Sequence, residues 1–108
     1  MKITFDSKKS DKNVRDRNLS FDRAADFDWG TAVTFEDRRF AYPEQRLVTT
    51  GFLGERLHVL CFTPIGDDIR IISFRKANAR EIKQYEKKIK EFQSSSIFQE
   101  EAANQQRW

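Results

Sequence analysis

The sequence predicts an α+β fold: two N-terminal helices, a three- to four-stranded antiparallel sheet and a C-terminal helix. Three observations predict it. Between residues 46 and 75, three β-rich runs are separated by short turns holding Gly54 and Gly66, and connections that short demand antiparallel hairpins. Before residue 30, two stretches carry helix-start residues instead of strand alternation. After residue 77, Asn78 and Glu81 stand at capping-box spacing ahead of a basic run with apolar residues at helical intervals.

In chain order, Ile3 to Phe5 is a short strand. Asp6 or Ser7 caps a polar helix running to about Arg17, with Val14 its one clear apolar anchor. Asn18 stops that helix, because asparagine tolerates the left-handed conformation. Ser20 then caps a second helix with Phe21, Ala24 and Ala25 as its apolar face, closed by Phe27, Trp29 and Gly30. The pair reads as a helical hairpin. Its second helix carries Asp22, Asp26 and Asp28 against Arg23, which argues against its reading DNA. Thr31 to Phe35 is a β run ending in the charged turn Glu36-Asp37-Arg38-Arg39, and Phe40 to Glu44 is a loop containing Pro43. The three main strands are Arg46 to Phe52, Arg56 to Thr63 and Asp68 to Arg75. The middle one is apolar on both faces, as a central strand should be. In the last, simple alternation puts Ile69, Ile71, Ser73 and Arg75 on one face and Arg70, Ile72 and Phe74 on the other. The helix from Asn78 has Ile82, Tyr85, Ile89 and Phe92 as a stripe facing a core. Residues 1–92 form one domain, followed by a polar tail over 93–108 in which Glu100 to Gln106 is a short helix or mobile.

Bulk numbers bound the class. At 108 residues the chain can bury a modest core, made aromatic by ten phenylalanines and two tryptophans. Its pI near 9.2 points to nucleic acid or an acidic partner protein, not to a membrane. No apolar run approaches a spanning helix, and no apolar secretion segment opens the chain, so a cytoplasmic location is expected. Cys61 is the single cysteine, which excludes an internal disulfide and fits a reducing compartment. One histidine and one cysteine do not make a zinc site, and no metal or other cofactor is expected. Charge is concentrated: residues 70 to 92 hold eight cations against three carboxylates, in a chain whose formal total is +3. That excess is the footprint of a phosphate-binding surface, or of a plain solvated helix face. Arg70 and Arg75 stand out, because an arginine in an apolar strand needs an ion pair or an anionic ligand.

The element order, with Phe5-Asp6, Asn13 and Asn18-Leu19-Ser20-Phe21-Asp22-Arg23-Ala24, resembles the BrnT family of toxins from bacterial type II toxin–antitoxin systems. The later stretch is the stronger match: Glu44-Gln45-Arg46, Gly51, Leu57 to Thr63, Gly66, and above all Arg70-Ile71-Ile72-Ser73-Phe74-Arg75-Lys76-Ala77 with Glu81 and Tyr85. The similarity spans roughly residues 3 to 90. Where the family usually has His-Gly this chain has Arg17-Asn18, and the family's tryptophan in the first strand is Phe5. The resemblance implies a RelE-like fold and a metal-independent endoribonuclease that inhibits translation. It also implies a BrnA-like ribbon-helix-helix antitoxin as partner, with operator DNA reached only through the antitoxin complex.

Metal-free RNA cleavage needs a base for the 2′-hydroxyl, cations for the phosphorane and an acid for the leaving oxygen. Arg70, Arg75 and Arg46 are the candidates for clamping the phosphate, each with an internal ion pair as the alternative. Lys76, Arg80 and Lys83 are candidate RNA contacts, or ordinary surface charge. Tyr85 is a candidate proton carrier or base-stacking ring, or a core residue of its stripe. Glu44 is a candidate base, or the partner of Arg46. His58, mid-strand on the face of Leu60 and Phe62, reads best as a packed histidine. Two further readings stand beside the enzyme: an inactive toxin fold that binds antitoxin or RNA without cutting, and a homomeric structural domain.

Overall fold

Asp6 opens the first helix because its carboxylate accepts from the free amides of Lys8 and Lys9, at 2.8 and 3.4 Å. Helix α1 runs Ser7–Arg17 and closes at Asn18, which takes the left-handed conformation at φ 55° and returns its amide to the Val14 carbonyl. Val14 is not the anchor expected of it, being 42% exposed. Polar contacts fix α1 instead. The buried Ser10 hydroxyl accepts from the Phe21 amide at 3.0 Å, and Asn13 donates to the carbonyls of Leu19 and Phe74 at 2.8 and 2.9 Å. Ser20 caps the next element as expected, but Phe21–Asp26 winds as a 3₁₀ helix, not an α-helix. Six residues with Phe21, Ala24 and then Phe27 as buried anchors fit three residues per turn.

The computed structural model describes residues 1–105, and their side chains as far as residue 93. The chain divides into two compact units, Met1–Ala77 and one beginning at Asn78. The first unit is built on a five-stranded sheet of β1 (Ile3–Phe5), β2 (Val33–Glu36), β3 (Leu47–Leu53), β4 (Arg56–Ile65) and β5 (Asp68–Lys76), in the order β1-β5-β4-β3-β2. The hairpins β2–β3, β3–β4 and β4–β5 are antiparallel as expected. The expected all-antiparallel sheet of three or four strands is corrected at the edge, where β1 pairs parallel to β5 through Ile3–Ile69 and Phe5–Ile71. The Lys2 carbonyl and amide fasten that pairing, to the Ile69 amide at 3.0 Å and the Asp68 carboxylate at 2.8 Å.

A second correction concerns the faces of β5. Cys61 on β4 is opposite Ser73, but the next residue, Phe62, is opposite Ile71. Ile72 is therefore an extra residue, a β-bulge, and it shifts the alternation by one. Ile69, Ile71 and Phe74 consequently share a face, and all three belong to the core with Leu60 and Phe62 of β4. The 3₁₀ segment covers that face: Leu19, Phe21, Ala24 and Phe27 pack there. Edge-to-face ring contacts of Phe27 with Phe74 and of Trp29 with Phe62 tighten it. Gly51 is opposite His58 on this face, where a Cβ would lie 2.7 Å from the Phe27 ring, so any larger residue forces that ring to move.

The second unit is helix α2, Ala79–Gln105. Its start is a full capping box: the Asn78 side chain accepts from the Glu81 amide and the Glu81 carboxylate accepts from the Asn78 amide, both at 2.9 Å. The expected stripe loses its last member, because Phe92 is 72% exposed. The helix continues through the stretch read as a tail as far as Gln105, and of the expected segment Glu100 to Gln106 the last residue lies outside the described ones.

Candidate nucleic-acid interface

Face assignment follows from strand register. Arg70 is opposite Thr63 and Arg75 is opposite Val59, two β4 residues that point away from the aromatic core. The bulge thus sets both arginines on the same, opposite face, which unbroken alternation does not allow. Arg70 is exposed, with Thr4 of β1 as its other neighbour in register. The Arg75 guanidinium donates to the Lys76 carbonyl at 3.3 Å.

Arg46 precedes β3 by one residue, on the same side as Val48 and the facing Cys61. Burial raises the Cys61 thiol's pKa, and the positive charge of Arg46 pulls it the other way. Cys61 is partly buried. For Arg46 the ion-pair alternative is realised: Nε donates to Glu44 at 3.0 Å, and the guanidinium lies 4.0 Å over the centre of the Tyr42 ring. The Glu44 hydrogen bond raises the Arg46 pKa. Glu44 and Arg46 therefore act as one unit.

Beside them is a second unit that sequence reasoning missed. Asp37 is buried and accepts from Arg39 through two side-chain nitrogens at 2.9 Å and from the Tyr42 hydroxyl at 3.2 Å. The Arg39 hydrogen bonds hold the Asp37 carboxyl far below the usual carboxylate range, against the opposing effect of burial. Its backbone amide also bonds the Arg46 carbonyl at 2.8 Å, tying the two units together. They border a cleft of about 380 Å³ that also includes Phe40. The only sequence signal was the charge cluster Glu36-Asp37-Arg38-Arg39, which read as a turn.

Lys76 lies elsewhere. Its register partner is His58, so it belongs to the core side of the sheet, at the end away from β1. There it borders a recess of about 500 Å³ with Arg17, Arg23 and His58. His58 is packed as expected, 5% exposed and edge-on to Phe74. Burial, then the charges of Lys76, Arg56 and Arg23, lower its pKa from the ordinary 6.5. A third hollow follows the β5 edge, where Lys9, Lys12 and Arg17 of α1 come near Ser73 and Arg75. Arg80, Lys83 and Tyr85 are on α2, in the second unit, with Glu81 and Tyr85 one turn apart. Among the described residues, no three side chains of the usual metal-ligating types are grouped.

Residues 5–81 match a known family, described as ribonuclease toxin, BrnT, of type II toxin–antitoxin system. The chain belongs to the BrnT toxin family. The match covers both Arg70 and Arg75, the Glu44–Arg46 pair and the capping box of α2. No curated protein matches the chain. BrnT membership makes it a toxin of the ribonuclease type and brings with it an antitoxin partner. No helix among the described residues is long and apolar enough to cross a membrane.

Proposed function

We propose that this BrnT chain is a metal-independent endoribonuclease that halts translation by cutting RNA on the sheet face opposite the aromatic core. The observation that carries the reading is the bulge at Ile72, which gathers Arg70 and Arg75 onto the face where Arg46 also stands. A phosphodiester on that face would meet guanidinium groups able to take the charge of a pentacoordinate phosphorus. In the step proposed, a base takes the proton of the 2′-hydroxyl and O2′ bonds to phosphorus. The P–O5′ bond then breaks and O5′ takes a proton, leaving a 2′,3′-cyclic phosphate. Glu44 is the base of this proposal: Oε1 is held by Arg46, and Oε2 makes no hydrogen bond among the described residues. Tyr85 is the proposed proton donor, and Arg80 and Lys83 are the proposed contacts to flanking phosphates; Lys76, expected among them, is on the core side by its pairing with His58 and is left out of this face. In keeping with this reading the fold is RelE-like, residues 1–92 are the functional domain, and the protein works in the cytoplasm. Its partner is a BrnA-like ribbon-helix-helix antitoxin that brings the complex to operator DNA.

The test is incubation of the purified protein with RNA in excess chelator, with the product ends identified. Cyclic phosphate ends, and a loss of roughly 100-fold or more in rate for Arg70→Ala, are expected. Retention of RNA without any cut would favour a binding protein instead. One observation leans that way: the Arg46 guanidinium is already committed to Glu44 and the Tyr42 ring.

A further inference from the structure

The recess on the core side of the sheet is unlike the rest of the basic surface. Its cations come from three separate elements: Arg17 from the end of α1, Arg23 from the 3₁₀ helix and Lys76 from the end of β5. Its floor is nearly dry, with Leu19 and Leu53 each 7% exposed and His58 5%. No carboxylate lines it. The one acid engaged nearby is Asp26, which meets Arg23 at 3.4 Å with both side chains more than half exposed. Such a pair holds its arginine weakly. Among the described residues, neither Arg17 nor Lys76 makes a side-chain ion pair. The negative end of the α1 dipole accounts for Arg17 but not for the other two. Bringing three like charges around one hollow is unfavourable unless an anion joins them.

His58 adds a second kind of group. Its Nδ1 lies 2.8 Å from the Arg56 carbonyl, which can only accept, so Nδ1 carries the proton. Nε2 is then left with a lone pair, an acceptor for a hydroxyl or a protonated oxygen. At about 500 Å³ the recess holds more than a bare phosphate and is in the range of small-ligand sites.

We propose that Arg17, Arg23 and Lys76 form a phosphate-binding pocket, with His58 Nε2 free to accept from a sugar hydroxyl where the bound unit carries one. Its ligand is the phosphate of a nucleotide unit, either free or within a strand. The pocket is separate from the Arg70–Arg75 face, and its binding is read without any cleavage.

The chain has a single histidine, so the imidazole signals in nuclear magnetic resonance report this pocket alone. Inorganic phosphate, adenosine 5′-monophosphate and a single-stranded DNA tetramer, which cannot undergo 2′-hydroxyl cleavage, are titrated in turn into the full chain. All three are expected to shift the His58 signals to saturation. Arg17→Ala and Lys76→Ala should each weaken binding about tenfold or more. Lys8→Ala, which removes the same charge from the exposed start of α1, should change it less than twofold. Unaltered thermal midpoints in the variants establish that folding is intact. A tetramer that binds at least tenfold tighter than the mononucleotide makes the source a strand, and equal affinity makes it a free nucleotide; either supports the pocket. Absence of any shift up to millimolar probe overturns it, as does an equal loss in Lys8→Ala. RNA cleavage that persists after such a result leaves the endoribonuclease reading standing.

Discussion

Asn13 links three parts of the first unit with one amide. It sits on α1 and its nitrogen serves the carbonyl of Leu19 beyond the helix and that of Phe74 on β5. Asn13→Ala removes this donor from both carbonyls, which costs roughly 1–3 kcal/mol. The thermal midpoint should fall by several degrees with no change in the helical signal; an unchanged midpoint would show that water replaces the amide freely. His58 makes a prediction about pH. Its folded pKa is lowered while its unfolded pKa is near the ordinary 6.5, so below that value the unfolded chain binds the extra proton. Stability contributed by the neutral ring is complete above about pH 7 and is lost as pH falls through 6.5 toward the lower folded value. Melting curves between pH 8 and 5 should therefore drop less steeply for His58→Gln than for the parent chain, and parallel curves would refute the assignment. Little of this was legible in the sequence. The capping residues Asp6, Asn18, Ser20 and Asn78 act within three or four positions of themselves, so local pattern finds them. The recess around His58 depends on residues from five elements whose meeting leaves no mark on any one stretch.

At the scale of elements, the hairpins were legible because Gly54 and Gly66, both at positive φ, punctuate strands of matching hydrophobic pattern. The bulge at Ile72 was not, because alternation is read on the assumption that it never slips. That single slip moved Phe74 inward and Arg70 and Arg75 to one face, and so decided the proposed site. The 3₁₀ helix is held against the sheet by a close approach at Gly51, where an added Cβ meets the Phe27 ring at 2.7 Å and Ala32 at 3.0 Å. Gly51→Ala should cost about 1–3 kcal/mol through forced repacking of Phe27. Chemical denaturation measures it, and a neutral result would mean that the ring has room to turn.

For the whole molecule, charge and topology set the expectations. With pI near 9.2, RNA binding should weaken steeply with salt, and Arg70→Ala should flatten the logarithmic salt slope by about one phosphate contact. Filter binding at several ionic strengths measures the slope; an unaltered one would remove Arg70 from the interface. The domain boundary proposed at residue 92 is testable by a chain ending there, which should still unfold cooperatively, within a few degrees of the full chain. The parallel pairing of β1 with β5 bears on biosynthesis. Residues 3–5 are made well before residues 69–71, their only strand partner among the described residues. A nascent chain holding the first four strands has an unfinished sheet, with Arg70 and Arg75 not yet synthesised. On the proposed reading, the face that would cut RNA is therefore incomplete until β5 has been made, however much of the sheet has folded before it.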